Sequence, residues 1–166
     1  SISYVSKDEA LGLAHVSLSF DPNREKVKII HARCLTPEGE INNLKPDQIK
    51  ISKSTSGSVH FDSDQSISFS IPGVTVGSLV DYSYETEEFN PFDANIFSGR
   101  CYFQSSSPIG EKILRVSVPN ECKLYHFAKN LEEKYANPTV IEAVDSVLYT
   151  WKMSDMPPFI AEPRMP

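Results

Sequence analysis

Two thiol–imidazole pairs are close in the chain: His31 with Cys34, and Cys122 with His126. Nucleophilic cysteine catalysis needs a thiolate made by a nearby imidazole. Both pairs lie in runs that alternate as strands. Residues three apart on a strand face opposite sides, so His31 is badly placed to activate Cys34. Cys122 and His126 are four apart and share a face, but the residues around them supply neither oxyanion donors nor a nucleophile turn. The run Asp62-Ser63-Asp64-Gln65-Ser66 sets oxygens at every second residue, as calcium loops do. It lacks the glycine and the closing glutamate of an EF-hand, which favours a solvated turn. The four histidines, His15, His31, His60 and His126, make no short zinc-type pairing with cysteine. Glu85, Glu87, Glu88 and Asp93 form an acidic patch, either a solvated face or a contact for a basic partner. No catalytic, cofactor-binding or metal-ligating residue is assigned, and no cofactor is expected.

The elements that hold these residues read as strands. The organising stretch is Ser66–Glu85. Ile67, Phe69 and Ile71 alternate with Ser66, Ser68 and Ser70, the pattern of a strand with one buried and one wet face. Pro72-Gly73 stops that strand, because proline has no ladder N–H and glycine accepts positive φ. A second strand follows Gly77-Ser78, with Val80, Tyr82 and Tyr84 against Asp81, Ser83 and Glu85. The two form either an antiparallel pair or a strand that crosses between sheets.

Earlier in the chain, Ala10–Phe20 reads as a strand closed by the turn Asp21-Pro22-Asn23. Val27–Leu35 is a strand apolar on both sides, with Ile30 and Ala32 out of step with Val27 and Ile29, which suits a central position or one near an inter-domain contact. Thr36-Pro37-Glu38-Gly39 is a turn, and Glu40–Leu44 its hairpin partner. Gln48–Lys53 reads as an edge strand whose lysines discourage strand addition. Val59–Phe61 suits a brief pairing. Later come strands at Phe97–Gln104, with a bulge at Gly99, at Glu111–Val118 and at Lys123–Ala128. A short helix is expected over Asn130–Tyr135, and a last hairpin over Thr139–Val144 and Val147–Met153. Many short strands with turn signals about every ten residues argue a β-sandwich, with a closed barrel as the alternative.

The chain has 166 residues, 40% hydrophobic and 23% charged, ordinary for a globular domain. A net charge of −6 argues against a nucleic-acid footprint. No apolar run reaches the roughly 18 residues of a membrane span. Cys34, Cys101 and Cys122 are odd in number and widely spaced, so they form no disulfide framework. Three buried thiols are favoured over one bridge and one thiol. The expected layout is one β-sandwich domain over 1–155 and a proline-rich linker over 156–166 leading to a further domain.

Three segments resemble one family. They are Lys26-Val27-Lys28-Ile29-Ile30-His31-Ala32-Arg33 leading to Thr36-Pro37-Glu38-Gly39, Phe69-Ser70-Ile71-Pro72-Gly73-Val74 leading to Gly77-Ser78-Leu79-Val80-Asp81-Tyr82, and Tyr149-Thr150-Trp151 leading to Glu162-Pro163. Their order and spacing resemble the uncharacterised domain that precedes transglutaminase-like domains in many bacterial proteins. The likeness spans roughly Phe20 to Pro166, and the Ile-Pro-Gly to Gly-Ser segment is its most specific piece. The resemblance implies an immunoglobulin-like antiparallel β-sandwich with little helix, and a periplasmic or extracellular setting. It also implies that the papain-type Cys-His-Asp residues belong to the following domain. On that footing the expected role is a non-catalytic module that positions the catalytic domain or its substrate. Trp151, Pro157, Pro158 and Phe159 are the first candidate contacts, and Phe89 and Phe92 the second. The competing expectation is an independent carbohydrate- or protein-binding module at a cell surface, using exposed aromatics such as Tyr102 and Phe92.

Overall fold

A computed structural model describes residues 1–7, 12–53, 64–93 and 96–159. The chain is an all-β antiparallel sandwich protein with little helix. Where one sandwich domain over 1–155 was expected, the contacts divide the chain into two compact units, Ser1–Phe97 and Ser98–Pro166.

Among the described residues the first unit holds seven strands: β1 (Ile2–Tyr4), β2 (His15–Phe20), β3 (Glu25–Leu35), β4 (Ile41–Asn43), β5 (Lys50–Lys53), β6 (Gln65–Ser70) and β7 (Leu79–Glu88). One sheet runs β1-β7-β3-β4 and a second runs β2-β6-β5. β6 and β7, the two halves of the organising stretch, lie in different sheets, so the chain crosses between layers there rather than folding back as a hairpin. β5 is an edge, as its lysines suggest. The expected pairing over Val59–Phe61 falls outside the described residues. Val16, Ile67, Phe69 and Ile71 meet Ala32, Cys34 and Val80 in one buried cluster that joins the two sheets. Phe69 stands edge-on to Tyr82 across it, with ring centres 6.5 Å apart. The outer face of the second sheet is lined by serines: Ser17 faces Ser68, and Ser19 faces Ser66.

The irregular pattern of β3 has a physical cause. Its pairing to β7 slips between Ile29 and His31, leaving Ile30 as an extra residue. Such a bulge reverses which side chains face inward. Val27 and Ile29 pack inward before it, Ala32 and Cys34 after it, and Ile30 is left exposed. The strand is therefore half-buried throughout rather than apolar on both faces.

The crossing from β6 to β7 is held from three sides. Gly73 and Gly77 adopt φ of 74° and 91°, the left-handed region that favours glycine. A side chain at Gly73 would collide with the Asn42 amide, and one at Gly77 would press on Pro37. The fully buried Ser78 accepts the Thr75 N–H at 3.1 Å through its hydroxyl. Val5 donates to the Ser78 carbonyl and accepts from Gly77, at 2.9 and 2.7 Å. The buried Cys34 thiol donates to the Gly73 carbonyl, with sulfur and oxygen 3.6 Å apart.

The second unit contains β8 (Ile109–Pro119), a four-residue helix α1 (Glu133–Ala136), β9 (Thr139–Glu142) and β10 (Ser146–Met156), with sheet order β8-β10-β9. The last hairpin forms as expected, closed by the Ala143 N–H on the Ser146 carbonyl. Phe103, Trp151 and Met153 centre its core. The strands expected at Phe97–Gln104 and Lys123–Ala128 do not form. Over 98–104, Phe103 is drawn into the core as an anchor, while Tyr102 stays exposed. Alternation marks an extended chain, but a strand also needs a ladder partner, and neither segment has one among the described residues.

Two substitutions probe the crossing. Ser78→Ala leaves the Thr75 N–H without its acceptor and is expected to cost roughly 1–3 kcal/mol in urea unfolding. Gly73→Ala combines strained φ with the Asn42 collision and should cost at least about 1–3 kcal/mol, whereas Gly39→Ala, with the same sign of φ but open space around it, should cost less.

Candidate functional site

The residues singled out from the sequence fall into two places. In the first unit, Phe89 and Phe92 sit on the loop after β7. Asp21 builds the turn that receives this loop: its carboxylate accepts the Asn23 N–H, and its carbonyl accepts the Arg24 and Glu25 N–H groups. The Arg24 carbonyl then accepts the N–H groups of Phe89 and Asn90 at 2.9 and 3.3 Å. The Arg24 guanidinium bonds Glu88 at 3.2 Å and lies over the Phe92 ring. Lys26 reaches Glu87 at 3.8 Å and lies 4.9 Å from the Phe89 ring centre. An open depression of about 350 Å³, walled by Phe20, Phe92, Asp21, Glu25 and Asp64, adjoins Arg24. Its walls mix carboxylates with aromatic rings, and among the described residues no cysteine or histidine lines it. Its chemistry is that of a contact surface.

The acidic patch is largely matched from within. Glu87 and Glu88 pair with Lys26 and Arg24, and Glu85 stands opposite Lys28. Cross-strand charge pairs of this kind stabilise a sheet modestly. On the same outer face, Asp81 receives Arg33 at 2.8 Å and His31 at 3.1 Å. Partial burial acts to raise the Asp81 carboxyl, but hydrogen bonds from His31 and Arg33, and then their charges, outweigh it and hold the group below the ordinary carboxylate value. This cluster is not legible from residue order alone, because it depends on the register of β3 against β7 beyond the bulge.

In the second unit, Trp151 is only 8% exposed. Its indole N–H donates to the Ala136 carbonyl at 3.4 Å, Tyr149 stacks beside it, and His126 meets it edge-on at 5.3 Å. Any influence of Trp151 on a neighbour therefore passes through the packing around it. Beyond β10, Pro157, Pro158 and Phe159 are exposed, and the Phe159 N–H is tied to the Ser105 carbonyl at 2.7 Å. The rest of the proline-rich stretch, with Glu162 and Pro163, lies outside the described residues.

The structure separates the first thiol–imidazole pair as strand geometry requires: Cys34 is buried and His31 lies on the outer face. Cys122 is exposed, while His126 rests on Trp151. All three thiols are free, and the expectation of three buried thiols holds for Cys34 but not for Cys122, which sits in a turn after β8. Of the calcium-like run, Asp62 and Ser63 lie outside the described residues, as does His60. Among the described residues, no group of three or more His, Cys, Asp or Glu side chains is placed to hold a metal ion.

Asp81 gives a testable pH dependence. Because its folded pKa is depressed, its contribution to stability is complete above the ordinary carboxylate value and is lost as the pH falls through its own lower value. Acid unfolding of the native chain should show this component, and Asp81→Asn should flatten it; identical acid profiles would show that the ion pairs contribute nothing.

No curated protein matches the chain. A crystal structure of a protein from Parabacteroides distasonis ATCC 8503, described as a "putative protease", superposes with a TM-score of 0.81 at 12% identity. The match covers 95% of this chain and 31% of that protein, so the chain spans less than a third of its neighbour's length. At that identity the likeness shows the fold alone. Residues 2–160 match the family described as a domain of unknown function with solved structure, DUF3857, and the chain belongs to that family.

Proposed function

We propose that this chain is a non-catalytic accessory module of a larger transglutaminase-like or cysteine-protease-like protein, acting to position the catalytic domain or its substrate. The observation that carries the reading is the partial coverage of the structural neighbour. The same fold accounts for 31% of a protein described as a "putative protease", which leaves most of that polypeptide for other work. Two features of this chain agree. The Cys34 thiol is spent on the Gly73 carbonyl inside the core. His126 is engaged with Trp151, while its sequence neighbour Cys122 faces solvent. Cysteine catalysis needs the opposite, a thiolate held by its imidazole in a cleft.

The immunoglobulin-like sandwich and the transglutaminase-like neighbour rest on the resemblance of the Ile-Pro-Gly to Gly-Ser segment. On this reading Pro157, Pro158 and Phe159 lead toward the catalytic domain. Phe89 and Phe92, fastened through Arg24, form a second contact.

The test is an activity assay on the purified chain with peptide hydrolysis and isopeptide transfer as readouts. No turnover is expected. Turnover that disappears in Cys122→Ser or His126→Ala would sink the proposal. Reading the gene beyond Pro166 is an independent check: a cysteine followed by histidine and aspartate in papain order is expected, and repeated β domains in its place would favour a stand-alone binding module.

A further inference from the structure

Residues 123–129 combine three properties. Their side chains alternate: Leu124 packs on the core of the second unit and His126 meets Trp151, while Tyr125 and Phe127 point away and are 80% and 88% exposed. Period-two alternation without helical hydrogen bonds is the mark of an extended chain. Yet among the described residues no backbone N–H or carbonyl of 123–129 takes part in a backbone hydrogen bond. Finally, the two outward rings are bracketed by outward lysines, Lys123, whose ammonium lies 5.0 Å from the Tyr125 ring centre, and Lys129.

We propose that Lys123–Lys129 is a strand-docking site, which takes an extended segment of another polypeptide with carboxylates placed to meet the two lysines and apolar side chains between them. An incoming strand supplies what the described residues do not give this segment, a ladder of donors and acceptors, and its alternate side chains cover Tyr125 and Phe127. The flanking lysines select acidic ends and repel basic ones. A lipid surface would bury the rings and accept the lysines, but it cannot satisfy an unpaired backbone. The net charge of the chain, −6, lies entirely in residues 1–97, so residues 98–166 do not repel an acidic strand by their overall charge. The site does not depend on the accessory role and is tested on the chain alone.

Trp151 is the only tryptophan and lies directly beneath His126, so its emission reports on the segment. The chain is titrated with Ac-Glu-Thr-Val-Thr-Val-Thr-Glu-NH2, with the same peptide carrying lysine for glutamate, and with two copies N-methylated at the odd or the even amides. Saturable quenching or shift by the glutamate peptide is expected, with the lysine peptide and one N-methylated copy weaker by about tenfold or more. Tyr125→Ser with Phe127→Ser should weaken binding by about tenfold. Lys123→Glu with Lys129→Glu should reverse the charge preference. These side chains are exposed, and circular dichroism confirms that each variant folds. No response to the glutamate peptide, equal binding of both N-methylated copies, a response to anionic phosphatidylglycerol vesicles alone, or self-association of the chain blocked by the same variants would each overturn the proposal.

Discussion

The first unit depends on one short crossing in which backbone, not side chains, sets the geometry. Between β6 and β7 the chain must leave one layer and enter the other within nine residues, Ile71 to Leu79. Where irregular backbone passes beside a core, as at the buried Ile71 and Ser78, its polar groups must be satisfied locally. The buried Ser78 hydroxyl, the Cys34 thiol and both polar groups of Val5 serve that end. The two positive-φ glycines allow the path, and the side chains of Asn42 and Pro37 occupy the space that a Cβ would need. The two sheets can share Phe69, Val80 and their neighbours as one core only because this crossing is fixed.

That arrangement explains which parts of the sequence speak most clearly. The Thr36–Gly39 turn and the Ile-Pro-Gly to Gly-Ser segment are far apart in the chain, yet Pro37 lies against Gly77 and Asn42 against Gly73. The Ile-Pro-Gly to Gly-Ser segment, the most specific piece of the resemblance, is thus the one that makes the crossing. Alternation along β2, β6 and β8 was equally legible, because each strand has one buried face and its period announces it.

What could not be read were properties of pairs. The bulge at Ile30 made β3 look apolar on both sides, since a window of sequence cannot tell a phase shift from a buried strand. The meeting of His31, Arg33 and Asp81 requires knowing which strand lies beside which. Trp151 stood out as a lone large aromatic near a chain end, but its burial depends on α1 and His126 lying over the sheet. Segments 97–104 and 123–128 carry strand-like periodicity without ladder partners among the described residues, so periodicity there reported an extended conformation and not a sheet.

The bulge in β3 also bears on how this strand can vary in length. Lys26 and Lys28 on one side of Ile30, and His31 and Arg33 on the other, share the wet surface only because one surplus residue separates odd from even numbering. Loss of Ile30 itself would leave unbroken alternation, with Lys26, Lys28, His31 and Arg33 on the wet surface and Val27, Ile29, Ala32 and Cys34 inward. The strand can therefore shed one residue at the bulge and return to regular pairing with β7 while the sandwich keeps its inside and outside.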